Sequence, residues 1–322
     1  MPDQDAPILV TGLPRSGTSW VGKMLEASGQ VVYINEPLNP QHPPGLSPGI
    51  LDGPDPVPYQ YISKHNGEQW EGPFGRMLEL RYRPGAELRR NHSPYDIVRM
   101  LKYLYSFSVG RIRGRRPMMD DPYALMSVRW LAEELGMKVV VLVREPRSYV
   151  GSRIHLGWDA SLERLASQGL LMRDLFAESG QRIIESLEDP DEVLKTAVLW
   201  SSCYDVVDRH YRGVPGVEIV TYESLAKAPI PGFGDLYDRL DLTMTDRIRN
   251  RIAAATSSPT DRRRAFRWTG ASKTAFQPMD SGSNLEIYRD RLTPDQIGVV
   301  DRATAGTRSR FYPAWSPPHD RG

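Results

Sequence analysis

One cysteine, Cys203, stands in 322 residues, which excludes an internal disulfide and a thiolate metal cluster and makes a reducing compartment the expected setting. Lysine is scarce as well: of 41 basic side chains only 7 are Lys and 34 are Arg, so any anion site here is expected to be built from guanidinium groups. Charge of one sign is missing, since 41 basic against 40 acidic residues leave +1, and no global field of the kind that holds nucleic acid results. Long apolar runs are missing too. The acidic start MPDQDAP is followed only by Ile8 to Val10, so neither a signal peptide nor a membrane anchor is predicted, and a cytoplasmic protein is expected. What is present, 40% hydrophobic and 25% charged residues, describes an ordinary globular chain without repeats, long enough to bury a large core.

Four short apolar runs read as buried strands: Ile8 to Thr11, Val31 to Ile34, Val139 to Val143 and Val217 to Tyr222. Apolar residues at helical spacing predict helices over Thr18 to Ala27 and Tyr123 to Leu135, closed by Gly29 and Gly136. Further helices are expected over Tyr95 to Gly110, Ser161 to Ser186 and Asp191 to His210. Strands alternating with helices predict an α/β fold with a parallel sheet. From Pro37 to Pro58 eight prolines and three glycines forbid regular structure and predict a long loop of the binding-lid kind.

The first strand runs into Gly12-Leu13-Pro14-Arg15-Ser16-Gly17-Thr18-Ser19-Trp20. A glycine-bearing turn between strand and helix aims free N–H groups, and the positive end of the helix dipole, at one point: a phosphate cradle. Gly12 and Gly17 match the spacing of a nucleotide-triphosphatase loop, but Thr18 stands where its lysine belongs, and Arg15 supplies the cation inside the loop instead. Trp20 lies early enough in the helix to stack on a nucleobase.

The strand from Val139 runs into Arg144-Glu145-Pro146-Arg147, and Ser152 follows Arg144 by eight residues. In open α/β sheets such loops share the crevice beyond the carboxyl ends of the strands, so Arg144 is expected to face the Arg15 loop. Together these stretches resemble the sulfotransferases that use 3′-phosphoadenosine-5′-phosphosulfate (PAPS). Arg15, Ser16, Gly17, Thr18, Ser19 and Trp20 resemble that family's 5′-phosphosulfate loop, and Arg144 with Ser152 its 3′-phosphate signature. Tyr222-Glu223-Ser224-Leu225 is similar to its Tyr-Glu-Asp-Leu segment, whose Tyr lies against the adenine, so Trp20 and Tyr222 are expected to flank the base.

The resemblance spans residues 8 to 229 and implies a parallel sheet with helices on both faces, related to nucleotide kinases, and PAPS as donor with adenosine 3′,5′-bisphosphate (PAP) as product. One domain over residues 1–322 is expected, with 37–60, 93–110 and 159–190 as insertions that cap the acceptor. Glu36 in Ile34-Asn35-Glu36-Pro37 matches the proposed base of the carbohydrate-directed branch, and Arg15 stabilises the leaving group. Where phenol- and steroid-directed relatives carry a His base, this chain reads Met119-Asp120-Asp121-Pro122, so Asp120 and Asp121 are rival bases and His42, His65 and His155 weaker ones. The branch therefore looks like the bacterial and carbohydrate-directed one, with a sugar, glycolipid or other small-metabolite hydroxyl as acceptor. A basic segment is expected to reach the 3′-phosphate from Arg262-Arg263-Arg264, Lys273 or Arg289. The competing readings are a P-loop-like kinase and a nucleotide-binding protein without catalysis. Neither nucleic acid nor a metal is expected as a partner.

Overall fold

Five strands, each five or six residues long, lie side by side and parallel in the order β2-β3-β1-β4-β5. The computed structural model describes residues 5–41, 48, 53–256 and 286–313. In chain order the elements are β1 (Ile8–Gly12), α1 (Thr18–Glu26), β2 (Val31–Asn35), α2 (Glu68–Leu78), α3 (Pro84–Leu88), α4 (Pro94–Ile112) and β3 (Arg116–Asp120). A 3₁₀ turn (Pro122–Ser127) then leads to α5 (Val128–Glu133), β4 (Lys138–Val143) and α6 (Pro146–His155). Three short helices follow, α7 (Leu162–Ala166), α8 (Gly169–Asp174) and α9 (Gly180–Glu185), and then α10 (Glu192–Val206), which runs into a π turn (Val207–Tyr211). The chain continues through β5 (Val217–Thr221), α11 (Tyr222–Lys227), α12 (Pro229–Arg239), α13 (Asp246–Thr256) and α14 (Pro294–Phe311).

β1 and β4 are buried on both faces between helical layers, which is why they read as unbroken apolar runs rather than alternating ones. Two apolar clusters result. One face packs Trp200, Tyr204 and Phe74 against the sheet, the other Val21, Phe233 and Tyr237. Among the described residues no helix is long and apolar enough to cross a membrane.

The strand missing from the sequence reading is β3. Its residues Arg-Pro-Met-Met-Asp carry a charge at each end and a proline, features that argue against an inner strand, yet all five are buried. Arg116 is accommodated because its guanidinium donates to Ala6 O at 2.6 and 2.8 Å and to Leu240 O at 2.5 Å. The helix expected over Tyr123 to Leu135 starts as a 3₁₀ turn, because Asp121 caps Tyr123 N and Pro122 sets the first turn. The helix expected over Ser161 to Ser186 is three pieces, α8 and α9 each beginning at a glycine. Tyr222 opens α11 instead of closing β5.

Strand order places the site. From β1 the chain crosses to β2 on one side, while from β4 it moves to β5 on the other, so the loops leaving neighbouring β1 and β4 diverge and open a crevice between them. The carboxyl ends of β2 and β3 carry Glu36, Asp120 and Asp121 onto the same rim.

Candidate active site

The loop from Gly12 to Gly17 is fixed by backbone constraints that side chains cannot meet. Gly12 has φ 153°, and a Cβ there would stand 2.5 Å from Leu142 O; at Gly17, φ 98°, a Cβ would stand 2.6 Å from the Tyr222 ring. Arg15 holds φ 83° and Glu36 φ 45° without being glycine, and backbone strain of this kind concentrates at functional positions. Tyr204 anchors the loop from below. Its hydroxyl donates to Leu142 O at 2.9 Å, accepts from Leu13 N at 3.3 Å and lies 2.7 Å from Ser16 Oγ. Above it the loop N–H groups are left over: none of the described backbone hydrogen bonds is donated by Gly17, Thr18 or Ser19.

The two clusters that the sequence separates by more than a hundred residues meet directly. Arg144 Nη1 donates to Arg15 O at 2.9 Å, and Arg15 Nε donates to Ser152 Oγ at 3.2 Å. Arg144 also lies over the Tyr222 ring, 5.2 Å from its centroid. Its backbone is pinned from both sides: Trp200 Nε1 donates to Arg144 O at 2.8 Å, and Glu145 N donates to Glu223 Oε1 at 3.0 Å, while Tyr312 donates to the other Glu223 oxygen at 2.6 Å. Arg147, one turn on, leaves the rim and forks onto Asp301 at 2.5 and 2.7 Å. Trp20 and Tyr222 meet edge to face at 5.2 Å and 62°, with Phe233 behind Trp20 at 5.2 Å, so the rings form a corner and not two parallel plates.

Two arginines that no motif indicated complete the cationic rim. Arg153, beside Ser152 and buried, lies within electrostatic reach of Arg15. Arg291 follows a 3₁₀ turn (Ile287–Asp290) that leans on Gly151, whose Cβ, if present, would touch Arg291 Cβ at 3.5 Å. Burial first, and then the charges of Arg144, Arg291 and Arg153, hold Arg15 below the ordinary arginine value; burial and Arg144 do the same to Arg291. Of the C-terminal candidates, Arg289 is exposed, 3.6 Å from Glu286, whereas Arg262, Arg263, Arg264 and Lys273 lie outside the described residues. A 3₁₀ turn sends neighbouring side chains to different faces, and nothing in the sequence says which face meets Gly151.

The three carboxylates differ in how they are held. Asp121 is fully buried and accepts Leu38 N at 2.6 Å and Tyr123 N at 2.9 Å, one on each oxygen, while its own carbonyl accepts from Thr11 Oγ1 at 2.7 Å. Asp120 is fully buried beneath α1, where Oδ2 accepts from the Tyr33 hydroxyl and burial holds the carboxyl above its ordinary value. Glu36 stands at the rim, half-buried, tied by its backbone N–H to Asp120 O at 2.8 Å and by Oε2 to Asn39 Nδ2 at 2.7 Å. Burial pushes its carboxyl up to about 7, the negative charge of Asp120 pushes the same way, and the Asn39 amide opposes both. Tyr123 lies within electrostatic reach of Glu36 and 6.4 Å from Tyr59, giving that side of the rim an aromatic wall. His65 and His155 are exposed, and His42 lies outside the described residues. Among the described residues no three His, Cys, Asp or Glu side chains gather as a metal would require.

A model of the sulfotransferase domain matches residues 5–311. Among solved structures the chain is similar to the sulfotransferase domain from the curacin biosynthetic pathway, at 16% identity and TM-score 0.48, covering 97% of this chain and 99% of that one. It is also similar to a mouse sulfotransferase complexed with PAP, at 14% and 0.46, covering 95% and 85%. A third similarity, to a sulfotransferase from Mycobacterium tuberculosis H37Rv, is at 16% and 0.38, covering 90% and 77%. No curated protein matches the chain by sequence. The family model runs through every motif described above, from the Arg15 loop to Tyr222 and on to α14, and by that match the chain belongs to the sulfotransferase family.

Proposed function

We propose that this sulfotransferase moves a sulfo group from PAPS to a hydroxyl of a carbohydrate-containing or other small-metabolite acceptor, with Glu36 as the base and the chain acting as one catalytic domain. One observation carries the reading: the charges of Arg144, Arg291 and Arg153 all bear on the buried Arg15 of the strand-end loop, and Arg144 bears on Arg291 as well, an arrangement that an anion with several negative oxygens relieves. The rim also fits such an anion in detail. Arg144 Nε and Arg153 Nε are buried donors without a hydrogen-bond acceptor among the described residues, which is costly unless a ligand completes them.

In this reading the N–H groups of Gly17, Thr18 and Ser19 and the Arg15 guanidinium hold the 5′-phosphosulfate, Arg144, Ser152 and Arg291 the 3′-phosphate, and Tyr222 with Trp20 the adenine. The donor supplies an activated sulfo group on a phosphate leaving group. By analogy with phosphoryl transfer, the protein's task is then positioning and charge stabilisation. Arg15 cannot give up a proton at working pH, so it serves as a fixed positive charge at the oxygen where negative charge develops. Glu36 takes the proton from the attacking hydroxyl. It is favoured over its neighbours because both Asp121 oxygens are committed to backbone N–H groups and Asp120 lies buried beneath α1, whereas Glu36 stands on the rim with a carboxyl poised near neutrality. Tyr123, within electrostatic reach of Glu36 and backed by the buried Tyr59, suits a ring-shaped acceptor.

Calorimetric titration with PAP, adenosine 5′-phosphate and ATP–Mg²⁺, followed by transfer of labelled sulfo groups onto a carbohydrate library, tests the proposal. PAP is expected to bind and ATP–Mg²⁺ not to; tight ATP–Mg²⁺ binding without PAP binding would favour the kinase. Arg144→Ala is expected to raise the KM for PAPS by roughly 10- to 100-fold, the worth of one or two charge-assisted hydrogen bonds, with little change in kcat. The same substitution should leave adenosine 5′-phosphate affinity nearly untouched, and equal losses for both nucleotides would contradict the 3′-phosphate role. Asp120→Asn removes a negative neighbour of Glu36, so the midpoint of the pH–activity curve is expected to move to the acid side of the parent's. An unmoved midpoint would mean that Glu36 is not the group being titrated.

A further inference from the structure

α4 buries one face and exposes a second apolar one. Met100, Phe107 and Gly110 pack inward, Gly110 so closely that a Cβ would stand 2.1 Å from Val32 Cγ2. Outward, Val98 (62% exposed), Leu101 (52%), Tyr105 (70%) and Ile112 (84%) follow one another at spacings of three, four and seven residues and form a straight stripe. Tyr95 and Ile97 extend it at the N-terminal end, while Leu88, 53% exposed, lies just before the helix. A solvated helix face is ordinarily polar, and clustered apolar exposure of this size marks an interaction surface. The flanks are basic. Residues 87–115 hold seven Arg and Lys (Arg89, Arg90, Arg99, Lys102, Arg111, Arg113, Arg115) against two acids, Glu87, which pairs with Arg90 at 2.7 Å, and Asp96, in a chain whose total charge is only +1. Arg89, Arg111 and Arg113 form no ion pair among the described residues, so their charge faces outward uncancelled.

We propose that α4 is a docking helix for an anionic lipid bilayer, lying in the interface with the Val98–Ile112 stripe in the acyl boundary and the flanking arginines and lysine at the headgroups. A basic helix with an exposed apolar stripe is the construction such surfaces recognise. A second copy of this chain is the poorer occupant, because pairing two α4 faces would bring two strongly positive strips together. The stripe runs along about 21 Å of helix, a length that a yielding lipid surface accepts from end to end. Long basic side chains beside it can reach outward to phosphates while their stems lie on the apolar boundary. On its inner side α4 carries Tyr103, which lies within electrostatic reach of Glu36.

The test is co-sedimentation of the full chain with vesicles of phosphatidylcholine alone or with about one third phosphatidylserine. Neither donor nor acceptor is present, so the outcome is independent of the sulfo-transfer reading. Binding to the anionic vesicles is expected to exceed binding to the neutral ones at least tenfold and to weaken as salt is raised. Val98→Asp with Leu101→Asp should lose at least nine tenths of it, and Arg111→Glu with Arg113→Glu should lose the difference between the two vesicle types. PAP affinity and thermal unfolding, unchanged in both variants, would certify the fold, since all four side chains are exposed. Equal binding to both vesicle types, or anionic binding untouched by both variants, would overturn the proposal. So would a dimer in analytical ultracentrifugation that Val98→Asp with Leu101→Asp dissolves, because the second copy would then own the face.

Discussion

Glu36→Gln is expected to lower kcat by about 10²- to 10⁴-fold while PAP affinity stays within a factor of about two. The substitution keeps the size of the side chain and its contact with Asn39, but leaves nothing to accept the hydroxyl proton. The pH dependence separates this loss from damage to the site. With its carboxyl pushed up to about 7 by burial and by Asp120, Glu36 is protonated below neutrality, so the activity of the parent should climb with pH and level off above about 7. The residual activity of the Gln variant should lack that climb. Stability changes in the opposite sense. The unfolded chain loses this proton near the ordinary 4.5 and the folded one only near 7, so across that window the folded state binds more protons and stability declines as pH rises. Glu36→Gln should flatten that part of a Tm-against-pH curve. A variant that keeps more than a tenth of parental kcat, or keeps the same climb, would transfer the role to Asp120 or to the solvent.

What the sequence reveals depends on whether a residue's task is local. The Arg15 loop, Glu36 and Arg144 could be read because each sits at the end of a strand whose apolar run is unmistakable, and the parallel arrangement then sends all such ends to one rim. β3 stayed hidden because its stability comes from partners far away: Arg116 is satisfied by carbonyls at Ala6 and Leu240 that no window around it contains. The same reason hid Asp121's character, since it reads as one of two adjacent acids until Leu38 N is seen to donate to it. Arg153 and Arg291 carry no local signal at all. One neighbours a motif serine inside α6, the other follows a short turn whose position is set by contact with Gly151. Tyr204, which braces the loop from Gly12 to Gly17, reads as one more apolar position of α10, and only its three hydroxyl contacts distinguish it. The 159–190 region misled for the reverse reason, because helical spacing persists through it while Gly169 and Gly180 divide it into short helices.

Arg15→Ala should cost roughly 10²- to 10³-fold in kcat but less than tenfold in PAP affinity, and the asymmetry follows from how the rim is assembled. Removing the side chain does not remove Arg15 O, which accepts from Arg144 Nη1, so Arg144 keeps its place for binding. It also deletes the cation on which the charges of Arg144, Arg291 and Arg153 bear, and the relief of that like-charge crowding offsets part of the lost attraction for a bound anion. Neither compensation helps the transition state, where charge on the leaving oxygen is greatest and the fixed positive group beside it is missing. Arg15→Lys is the control, since a point charge restored at the same strained backbone position should recover most of the turnover even though the fork onto two oxygens is lost. Steady-state kinetics on PAPS together with PAP calorimetry read both quantities. Equal losses in affinity and kcat/KM, with kcat unchanged, would reduce Arg15 to a ground-state binding group and leave the stabilisation of the leaving group to Arg153 and the loop N–H groups.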